Sequence, residues 1–235
     1  MTRWTLHEGD CLDILPGVAP LSVDAVITDP PYMIGASSVG DPGAKSGTWA
    51  DTMNVARWYA DWLRLCQRAL RPTGHAIVFC NWRTIPTLLR AFDLCGWGVT
   101  SCLLWDKEWI GPGGTQGFRP QHEVILHAAM PQAQIANRGL PDVVRHKWMA
   151  GNMRTTAHPA EKPVGVLRWL VEATTSPGAL VVDPFAGSGT TGVAAVAAGR
   201  RFVGIESEAR WVALARERLD DATAQGGLPL VDAAP

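Results

Sequence analysis

The sequence predicts an α/β fold in which a doubly wound sheet carries helices on both faces. Short apolar runs that end in turn residues alternate with longer segments whose apolar residues recur every three or four positions. At two places, Asp29 and Asp183, an apolar run leads directly into residues suited to bind a ligand. Ligands of open α/β sheets bind at the carboxyl ends of the strands, so both places fit this architecture.

The composition is that of a globular protein with a substantial buried core. The chain has 235 residues, of which 47% are hydrophobic, and its net charge is −1. This length favours one domain, and no apolar run approaches the roughly 20 residues of a membrane span. The start does not resemble a signal peptide, and five scattered cysteines without a Cys-x-x-Cys pair predict reduced thiols in the cytoplasm. The near-neutral charge does not by itself indicate a nucleic-acid-binding protein.

The first ligand-binding candidate is the stretch VDPFAGSGTTG, from residue 182 to residue 192. Residues 179–182 predict a buried strand, and residues 193–198 predict a helix that Gly199 ends. A glycine loop between strand and helix places a ligand over the free amides of the helix N-terminus. The Gly-x-Gly-x-x-Gly spacing also matches a dinucleotide fingerprint or an ordinary glycine turn, whereas a P-loop would need a following lysine.

Two features of this stretch favour S-adenosylmethionine over a nicotinamide cofactor. An acid at the strand end, Asp183, can bind the ammonium of a methionine moiety while the helix start holds its carboxylate. The loop also offers the hydroxyls of Ser188, Thr190 and Thr191. The next predicted strand, 201–205, is followed by Glu206, which suits the two hydroxyls of a ribose.

The second candidate is Asp29-Pro30-Pro31-Tyr32, which follows the apolar run VDAVIT. The two prolines fix φ and remove two donors, so the carbonyls of the turn point in defined directions. Asp29 and the carbonyl of Pro30 can accept the two N–H bonds of an amine conjugated to an aromatic base, which makes its nitrogen more reactive. Tyr32 can stack on a base that has left its duplex. These residues predict methyl transfer to an exocyclic amine, in which positioning does most of the work.

Together the two stretches resemble the amino-group DNA methyltransferases that modify adenine N6 or cytosine N4. The catalytic motif precedes the cofactor motif, which resembles the circularly permuted β class. Gly9-Asp10-Cys11, His122-Glu123 and His158…Lys162-Pro163 resemble further motifs of that family in the same order. The resemblance implies a Rossmann-like, doubly wound, mostly parallel sheet of seven strands, one of them antiparallel at 123–128.

The resemblance and the residues together give the predicted site. The predicted catalytic residues are Asp29, Pro30, Pro31 and Tyr32. The predicted cofactor-binding residues are Asp10, Cys11, Asp29, Lys162, Pro163, Asp183, Pro184, Phe185, Ala186, Gly187, Ser188, Gly189, Thr190, Thr191, Glu206 and Ser207. The cofactor is S-adenosylmethionine, its product S-adenosylhomocysteine, and no metal is expected.

The other elements are predicted from periodicity and turn signals in chain order. Strands are expected at 4–7, 23–28, 75–80 and 97–105, and helices at 55–70, 84–94, 163–174 and 208–219. The stretch 33–54 has almost no hydrophobic pattern, which is typical of a mobile flap or of a plain surface loop. Trp58 and Trp62 in the first long helix predict a core or a subunit interface.

The segment 131–157 interrupts this rhythm and is expected to recognise the target. It places basic residues around His146 and Trp148, a mixture that suits DNA contact or simply a basic linker. The predicted DNA-binding residues are Arg119, His122, Arg138, Arg145, Lys147, Trp148 and Arg154. The chain is thus divided into a catalytic half at 1–130, the recognition insertion at 131–157, a cofactor half at 158–222 and a frayed tail at 223–235. Because the insertion is short, a homodimer is expected.

The function predicted is methylation of double-stranded DNA at a specific sequence, after the target base is flipped. The leading acid of Asp29-Pro30-Pro31-Tyr32 resembles that of adenine-modifying enzymes, whereas cytosine N4 enzymes usually begin with serine. Cytosine N4 stays an alternative, as do an RNA or protein-amide methyltransferase, a nicotinamide-dependent oxidoreductase and a non-catalytic DNA-binding module.

Overall fold

The computed structural model describes residues 3–32, 52–111, 115–148, 156 and 158–224, and in them a mixed α/β sheet carries helices on both faces. The strands in chain order are β1 Trp4–Glu8, β2 Val23–Thr28, β3 Leu70–Cys80, β4 Ser101–Asp106, β5 His122–Ala129, β6 Val143–Arg145, β7 Leu180–Asp183 and β8 Arg201–Glu206. Their order across the sheet is β1-β8-β7-β2-β3-β5-β4-β6. Only β5 among these strands runs antiparallel to its neighbours, β3 and β4, as predicted.

Two hydrophobic layers explain why both faces of the sheet are covered. The helices are α1 Cys11–Ile14, α2 Thr52–Ala69, α3 Ile85–Leu94, α4 Val164–Thr174, α5 Thr190–Ala197 and α6 Ala209–Ala224. The first three pack on one face with Val26, and the last three pack on the other face with Ala25 and Ile27. The alternation of side chains along β2 therefore gives it a core on each side, as a doubly wound sheet requires. The predicted fold class is confirmed.

Within the described ranges the sheet has eight strands, so the predicted count of seven is wrong. The extra strand is β6, which pairs in parallel with β4 at the sheet edge and lies inside the predicted recognition segment. Three residues of strand carry no periodicity that a sequence pattern could reveal. The pairing of Leu104 with Val143 shows that part of this segment belongs to the sheet.

Several element bounds also differ from those predicted. Strand β3 begins at Leu70 because Leu70 pairs with Val23 before the register jumps to His75 opposite Ala25, so 71–74 bulge from the ladder. Strand β4 begins at Ser101, four residues later than predicted, since Trp97 packs into the core beside Phe92 instead. Helix α2 begins inside the predicted loop 33–54, whose residues 33–51 lie outside the described residues. The predicted tail at 223–235 begins too early, since α6 runs to Ala224.

The described part of the chain has neither a membrane-spanning helix nor a cluster of metal ligands. None of its helices is long and apolar enough to cross a membrane. Nor do the same residues contain a group of three His, Cys, Asp or Glu side chains placed to hold a metal ion.

A buried pair of histidines joins β3 to β5 at the end of the sheet remote from Asp29. The rings of His75 and His127 are stacked, and Nδ1 of His75 lies 3.0 Å from Nε2 of His127. Burial, together with the neighbouring His75, lowers the pKa of His127 from 6.5 to about 4. The folded protein therefore keeps this ring neutral at pH values where the unfolded chain protonates it.

We expect this pair to make the protein less stable as the pH falls from 7 to 5. Over this range His127 binds more protons in the unfolded state than in the folded state. A pKa lowered to about 4 therefore corresponds to a decrease of about 2 kcal/mol in the free energy of unfolding. Asp183 acts in the opposite direction, because burial raises its pKa to about 6. Urea unfolding at pH 7 and pH 5 should show a smaller decrease in the free energy of unfolding for His127→Gln than for the wild type. An equal loss in the two proteins would contradict the assignment.

Candidate active site

Both sequence motifs open onto one cleft at the carboxyl edge of the sheet. Strand β2 leads into Asp29 and strand β7 ends at Asp183, and the two strands pair in parallel at their centre. Neighbouring parallel strands bring their carboxyl ends to the same edge. The cleft has a volume of about 640 Å³, within the range of small-molecule sites. Motifs that are about 150 residues apart in the sequence therefore face the same space.

Most of the predicted catalytic and cofactor residues line this cleft. They are Asp10, Cys11, Asp29, Pro30, Pro31, Tyr32, Lys162, Asp183, Pro184, Phe185, Ala186, Gly187, Ser188, Thr190, Thr191, Glu206 and Ser207. Two predicted residues support the lining from behind, since Gly189 is the N-cap of α5 and Pro163 is the N-cap of α4. The sequence analysis did not include His158 among the predicted site residues. Its ring lines the cleft and packs edge-on against the Trp211 ring, with the ring centroids 4.5 Å apart.

Asp183 is a buried acid that also ties β7 to β2. The Thr28 hydroxyl donates to Oδ1 of Asp183 at 2.6 Å, and the amide of Phe185 donates to the same oxygen at 3.0 Å. Burial raises the pKa of Asp183 to about 6 in spite of these hydrogen bonds. A cation placed beside it would stabilise the ionised form, so the carboxylate is suited to bind an ammonium group.

The glycine loop brings backbone to the cleft where a side chain would be obstructive. Gly187 and Gly189 adopt left-handed conformations, with φ of 51° and 77°. A Cβ on Gly187 would lie 3.1 Å from Nε2 of His158, and a Cβ on Gly189 would lie 2.9 Å from Cβ of Ala215. These positions need glycine both for conformation and for space.

Glu206 fixes the glycine loop from the tip of β8. Its Oε2 accepts from the amide of Gly187 at 2.8 Å, and its Oε1 accepts from the amide of Glu208 at the same distance. Oε1 also accepts a long hydrogen bond of 3.5 Å from the Ser207 hydroxyl, whereas Oε2 keeps a further lone pair. Glu206 is therefore held in one orientation and can still accept from ligand hydroxyls.

The short helix α1 closes the cleft beside Glu206. Asp10 is its N-cap and accepts from the amide of Leu12 at 2.8 Å. Burial, with the neighbouring Asp10 charge, raises the pKa of the Cys11 thiol to about 12, so this side chain stays neutral. The pair therefore offers one carboxylate and one small apolar surface.

An ion pair that the sequence analysis missed supports the same loop from below. Arg218 donates to the carbonyl of Ser188 at 2.7 Å, to the Thr190 hydroxyl at 3.0 Å and to Glu161 at 3.1 Å. Glu161 is buried and also accepts from the amide and hydroxyl of Thr156. One signal was available, because position 218 follows 211, 214 and 215 on the inward face of the predicted helix.

The two tryptophans of α2 pack against the Phe185 ring. The Trp58 and Trp62 rings pack on the Phe185 ring, with centroids 5.6 Å and 5.4 Å away. Trp62 is fully buried, and Trp58 lines the cleft. Both residues are therefore occupied within the chain, so they give no support to a subunit interface.

Asp29 presents one fixed and one unpaired oxygen. Oδ2 accepts a charged hydrogen bond from Lys162, whereas Oδ1 is buried without a hydrogen-bond partner among the described residues. The hydroxyl of Tyr32 is buried and unpaired in the same part of the chain. Burial raises the pKa of Asp29, and the Lys162 charge opposes this. A buried acceptor without a donor is costly, and a substrate N–H would satisfy it.

Lys162 lies at the catalytic corner, although the sequence analysis grouped it with the cofactor residues. Its ammonium also lies 3.3 Å from Oε2 of Glu123 and 5.8 Å from the centre of the Tyr32 ring. Glu123 in turn accepts from Lys107 at 2.7 Å. Alternation along β5 turns Glu123 into the cleft and leaves His122, which was predicted to bind DNA, exposed.

The predicted DNA-binding residues are spread over several surfaces. Trp148 lines the cleft, while His122, Arg145 and Lys147 are exposed near the same edge of the sheet. Arg119 is exposed, but its guanidinium donates to the carbonyls of Gly111 and Ile110 and so holds its own loop.

One further member of this predicted set, Arg138, does not line the cleft. Arg138 lies two residues after Ala136, whose N–H donates a hydrogen bond to the carbonyl of Ala173 at the remote end of α4. That end lies about 16 Å along the helix from Lys162, at 1.5 Å per residue. Arg154 lies outside the described residues.

Comparison with known proteins identifies the family. A model of the N6/N4 DNA methylase family matches residues 23–217. YubD, a proposed methylase of Escherichia coli K12, is 31% identical over 212 residues, which are 90% of this chain and 88% of YubD. The DNA adenine methyltransferase YhdJ of the same organism is 27% identical over 252 residues, covering 93% of this chain and 83% of YhdJ.

A solved structure agrees with these relatives. The crystal structure of M1.HpyAVI with S-adenosylmethionine superposes with a TM-score of 0.71 at 25% identity, and the match covers 92% of this chain and 99% of that one. The family model spans most of the chain and includes both Asp29 and Asp183. The chain therefore belongs to the DNA methylase family of S-adenosylmethionine-dependent N6 and N4 amino-methyltransferases.

Proposed function

We propose that this protein methylates the exocyclic amino nitrogen of adenine in double-stranded DNA, after flipping the base into the cleft. One observation carries the proposal: Asp29, whose buried Oδ1 has no hydrogen-bond partner among the described residues, lines the same cleft as the glycine loop. An acceptor for an amine N–H and a cradle for the methyl donor thus share one space. The similarity to YhdJ, a DNA adenine methyltransferase, supports adenine, as does the leading acid Asp29.

The residues present fit S-adenosylmethionine. A Cβ on Gly187 would meet His158, so the loop keeps its backbone open to a ligand. Asp183 would hold the ammonium of the methionine part, and the amides that start α5 would hold its carboxylate. Glu206 would accept from the ribose hydroxyls, and Asp10 with Cys11 would lie against the adenine. When bound, this cofactor supplies an electrophilic methyl group.

The corner at Asp29 would prepare the amine for attack. Its nitrogen lone pair is delocalised into the base, and hydrogen bonds from its two N–H groups to Asp29 Oδ1 and to the Pro30 carbonyl would draw the nitrogen toward tetrahedral geometry. The Tyr59 hydroxyl donates to the Pro31 carbonyl at 2.8 Å and so fixes the turn. The methylated nitrogen must then lose a proton, and Asp29, whose pKa burial raises, is the carboxylate placed to take it.

Tyr32 and Trp148 are the aromatic side chains suited to contact the flipped base. Both line the cleft, and the Tyr32 ring lies under the Lys162 ammonium. Aromatic stacking contributes about 1–3 kcal/mol for each base. We propose DNA contacts for Arg145 and Lys147, which are exposed on either side of His146. A homodimer and a division of the chain at 131–157 stay predictions.

The direct test is a methylation reaction with isotopically labelled S-adenosylmethionine on unmodified bacterial DNA. The product would be digested to nucleosides and analysed by mass spectrometry. Labelled N6-methyladenine is the expected product. Labelled N4-methylcytosine would keep the fold and the site but contradict the target base. Label on RNA or protein alone would contradict the proposed substrate.

Replacing Asp29 by asparagine should remove turnover while leaving cofactor binding intact. The amide keeps the shape of the side chain but supplies a weaker acceptor and no charge for Lys162. We expect kcat to fall by about a hundredfold or more, as when one transition-state hydrogen bond is lost. Calorimetry should give the wild-type dissociation constant for S-adenosylmethionine. The exposed Asp93→Asn is the matched control, and wild-type turnover by Asp29→Asn would refute the mechanism.

Replacing Gly187 by alanine should weaken cofactor binding. The new Cβ would lie 3.1 Å from His158 at a φ of +51°, so the loop must shift where it faces the ligand. We expect the dissociation constant for S-adenosylmethionine to rise about tenfold or more, which corresponds to about 1.4 kcal/mol. Gly178→Ala is the control, because it has a φ of +83° but an open surrounding. Equal effects of the two substitutions on affinity would exclude a role for the loop in binding.

A further inference from the structure

Four side chains of alternating charge form a continuous chain at the catalytic corner. Asp29 accepts from Lys162, the ammonium of Lys162 lies 3.3 Å from Oε2 of Glu123, and Oε1 of Glu123 accepts from Lys107 at 2.7 Å. Asp29 directly follows β2 and Lys107 directly follows β4, whereas Glu123 is the second residue of β5 and Lys162 precedes Pro163, the N-cap of α4. Two negative and two positive charges balance within this chain.

The chain is largely shielded from water. The exposed fractions of its side chains are 21% for Asp29, 8% for Lys162, 15% for Glu123 and 14% for Lys107. Charges so placed lose hydration that only close partners replace, and removal of one partner leaves another charge uncompensated. A chain of four therefore couples its ends: a change at Lys107 alters the charge that Asp29 experiences.

We propose that Glu123 and Lys107 are positioning residues for Asp29. They hold Lys162 on Oδ2, so that Oδ1 keeps its lone pairs for the target amine and the carboxylate keeps its charge. This inference rests on the proposed function, since it assigns roles within the same reaction. It extends that function to two residues which were not among the predicted catalytic, cofactor-binding or DNA-binding residues.

Glu123 has the geometry of a bridge. Its Oε1 accepts a hydrogen bond from Lys107, and its Oε2 lies 3.3 Å from the Lys162 ammonium as an ion pair without a hydrogen bond. The Tyr32 and Phe79 rings also face this ammonium, with ring centres 5.8 Å and 5.4 Å away. Without the Glu123 charge, two ammonium groups would repel each other across the position that it fills. Lys162 would then be free to leave the orientation in which it binds Oδ2 and leaves Oδ1 unpaired.

Lys107 connects the outer end of the chain to the predicted target-recognition segment. Its ammonium lies 4.7 Å from the centre of the Trp148 ring, and its carbonyl accepts from the Trp148 amide at 2.8 Å. Trp148 itself lines the cleft. The residue that neutralises Glu123 is thus held in place by a segment expected to meet DNA.

The electrostatic surroundings of Asp29 give the proposal a distinctive pH signature. The charged and titratable groups that face it are Lys162, Glu123, Tyr32, Cys80, Tyr59, Asp183 and His158. Burial raises the pKa of Asp29, Lys162 lowers it and Glu123 raises it again. Removing Glu123 should therefore lower the pKa of Asp29, and removing Lys107 should raise it.

Three variants test the proposal through the pH dependence of kcat at saturating S-adenosylmethionine and DNA. Glu123→Gln should lower kcat by about tenfold to a hundredfold, as is usual when a supporting partner is lost, and should move the acid limb of the profile to lower pH. Lys107→Met should move the acid limb to higher pH. The double variant should return the limb toward the wild-type position and recover part of kcat, because it restores charge balance.

Matched measurements separate positioning from loss of structure. Glu172→Gln removes an ion pair with Arg168 on the surface of α4 and should leave the profile unchanged. KM for DNA and the affinity for S-adenosylmethionine should stay within about twofold in the single variants, with folding monitored by thermal unfolding. If Glu123→Gln fails to fold, the shift of the acid limb in Lys107→Met still tests the positioning role.

The outcomes distinguish this inference from the proposed function. If the wild-type protein transfers no methyl group to DNA under any condition, the proposed function fails. If the wild type is active and both single variants keep its acid limb, or move it in the same direction, the proposed function stands and the positioning role is refuted. Opposite shifts that cancel in the double variant establish it.

Discussion

The buried ion pair between Asp29 and Lys162 is the interaction on which the arrangement of the site depends. Asp29 follows an interior strand and is shielded from water, so burial raises the pKa of its carboxyl, and the Lys162 charge opposes that rise. Lys162 supplies that cation from a segment 133 residues away and satisfies only one carboxylate oxygen. The other oxygen is buried and has no hydrogen-bond partner among the described residues. A group that must bind an uncharged amine needs this combination of a retained charge and an open lone pair.

The fold brings the partners together by aligning strand ends. Strands β2 and β7 are neighbours, and the bond from Thr28 to Asp183 fixes the separation between the catalytic corner and the glycine loop. Arg218 and Glu161 then join the loop to the segment that carries Lys162. The methyl donor and the acceptor amine must be held within about 0.5 Å of the productive geometry. These buried hydrogen bonds restrict the motion of the two segments that would hold them.

The sequence was most informative where the chemistry is local. Asp29 to Tyr32 and Asp183 to Thr191 could be placed in one cleft because each stretch carries its strand, its turn and its functional groups within a dozen residues. The sheet, its two helical layers and the antiparallel β5 followed from periodicity and from the family resemblance. The family model, which spans 23–217, supports the same assignment.

What the sequence could not predict depends on contacts between distant segments. Lys162 was assigned to the cofactor because a motif does not tell which way a side chain points, and Glu123 and Lys107 were overlooked because their partners come from other elements. Strand β6 has only three residues, and its pairing with β4 is a tertiary effect. The bulge at 71–74 likewise exists because Leu70 and His75 both pair with β2.

The most direct test of this account is a crystal structure of the protein with a non-reactive analogue of S-adenosylmethionine and a duplex that carries a site methylated by the enzyme. The account predicts the target base outside the duplex, its amino nitrogen within hydrogen-bond distance of Oδ1 of Asp29, and Lys162 still bound to Oδ2. A base that binds away from Asp29, or a Lys162 that has moved from Asp29 to the cofactor, would contradict it.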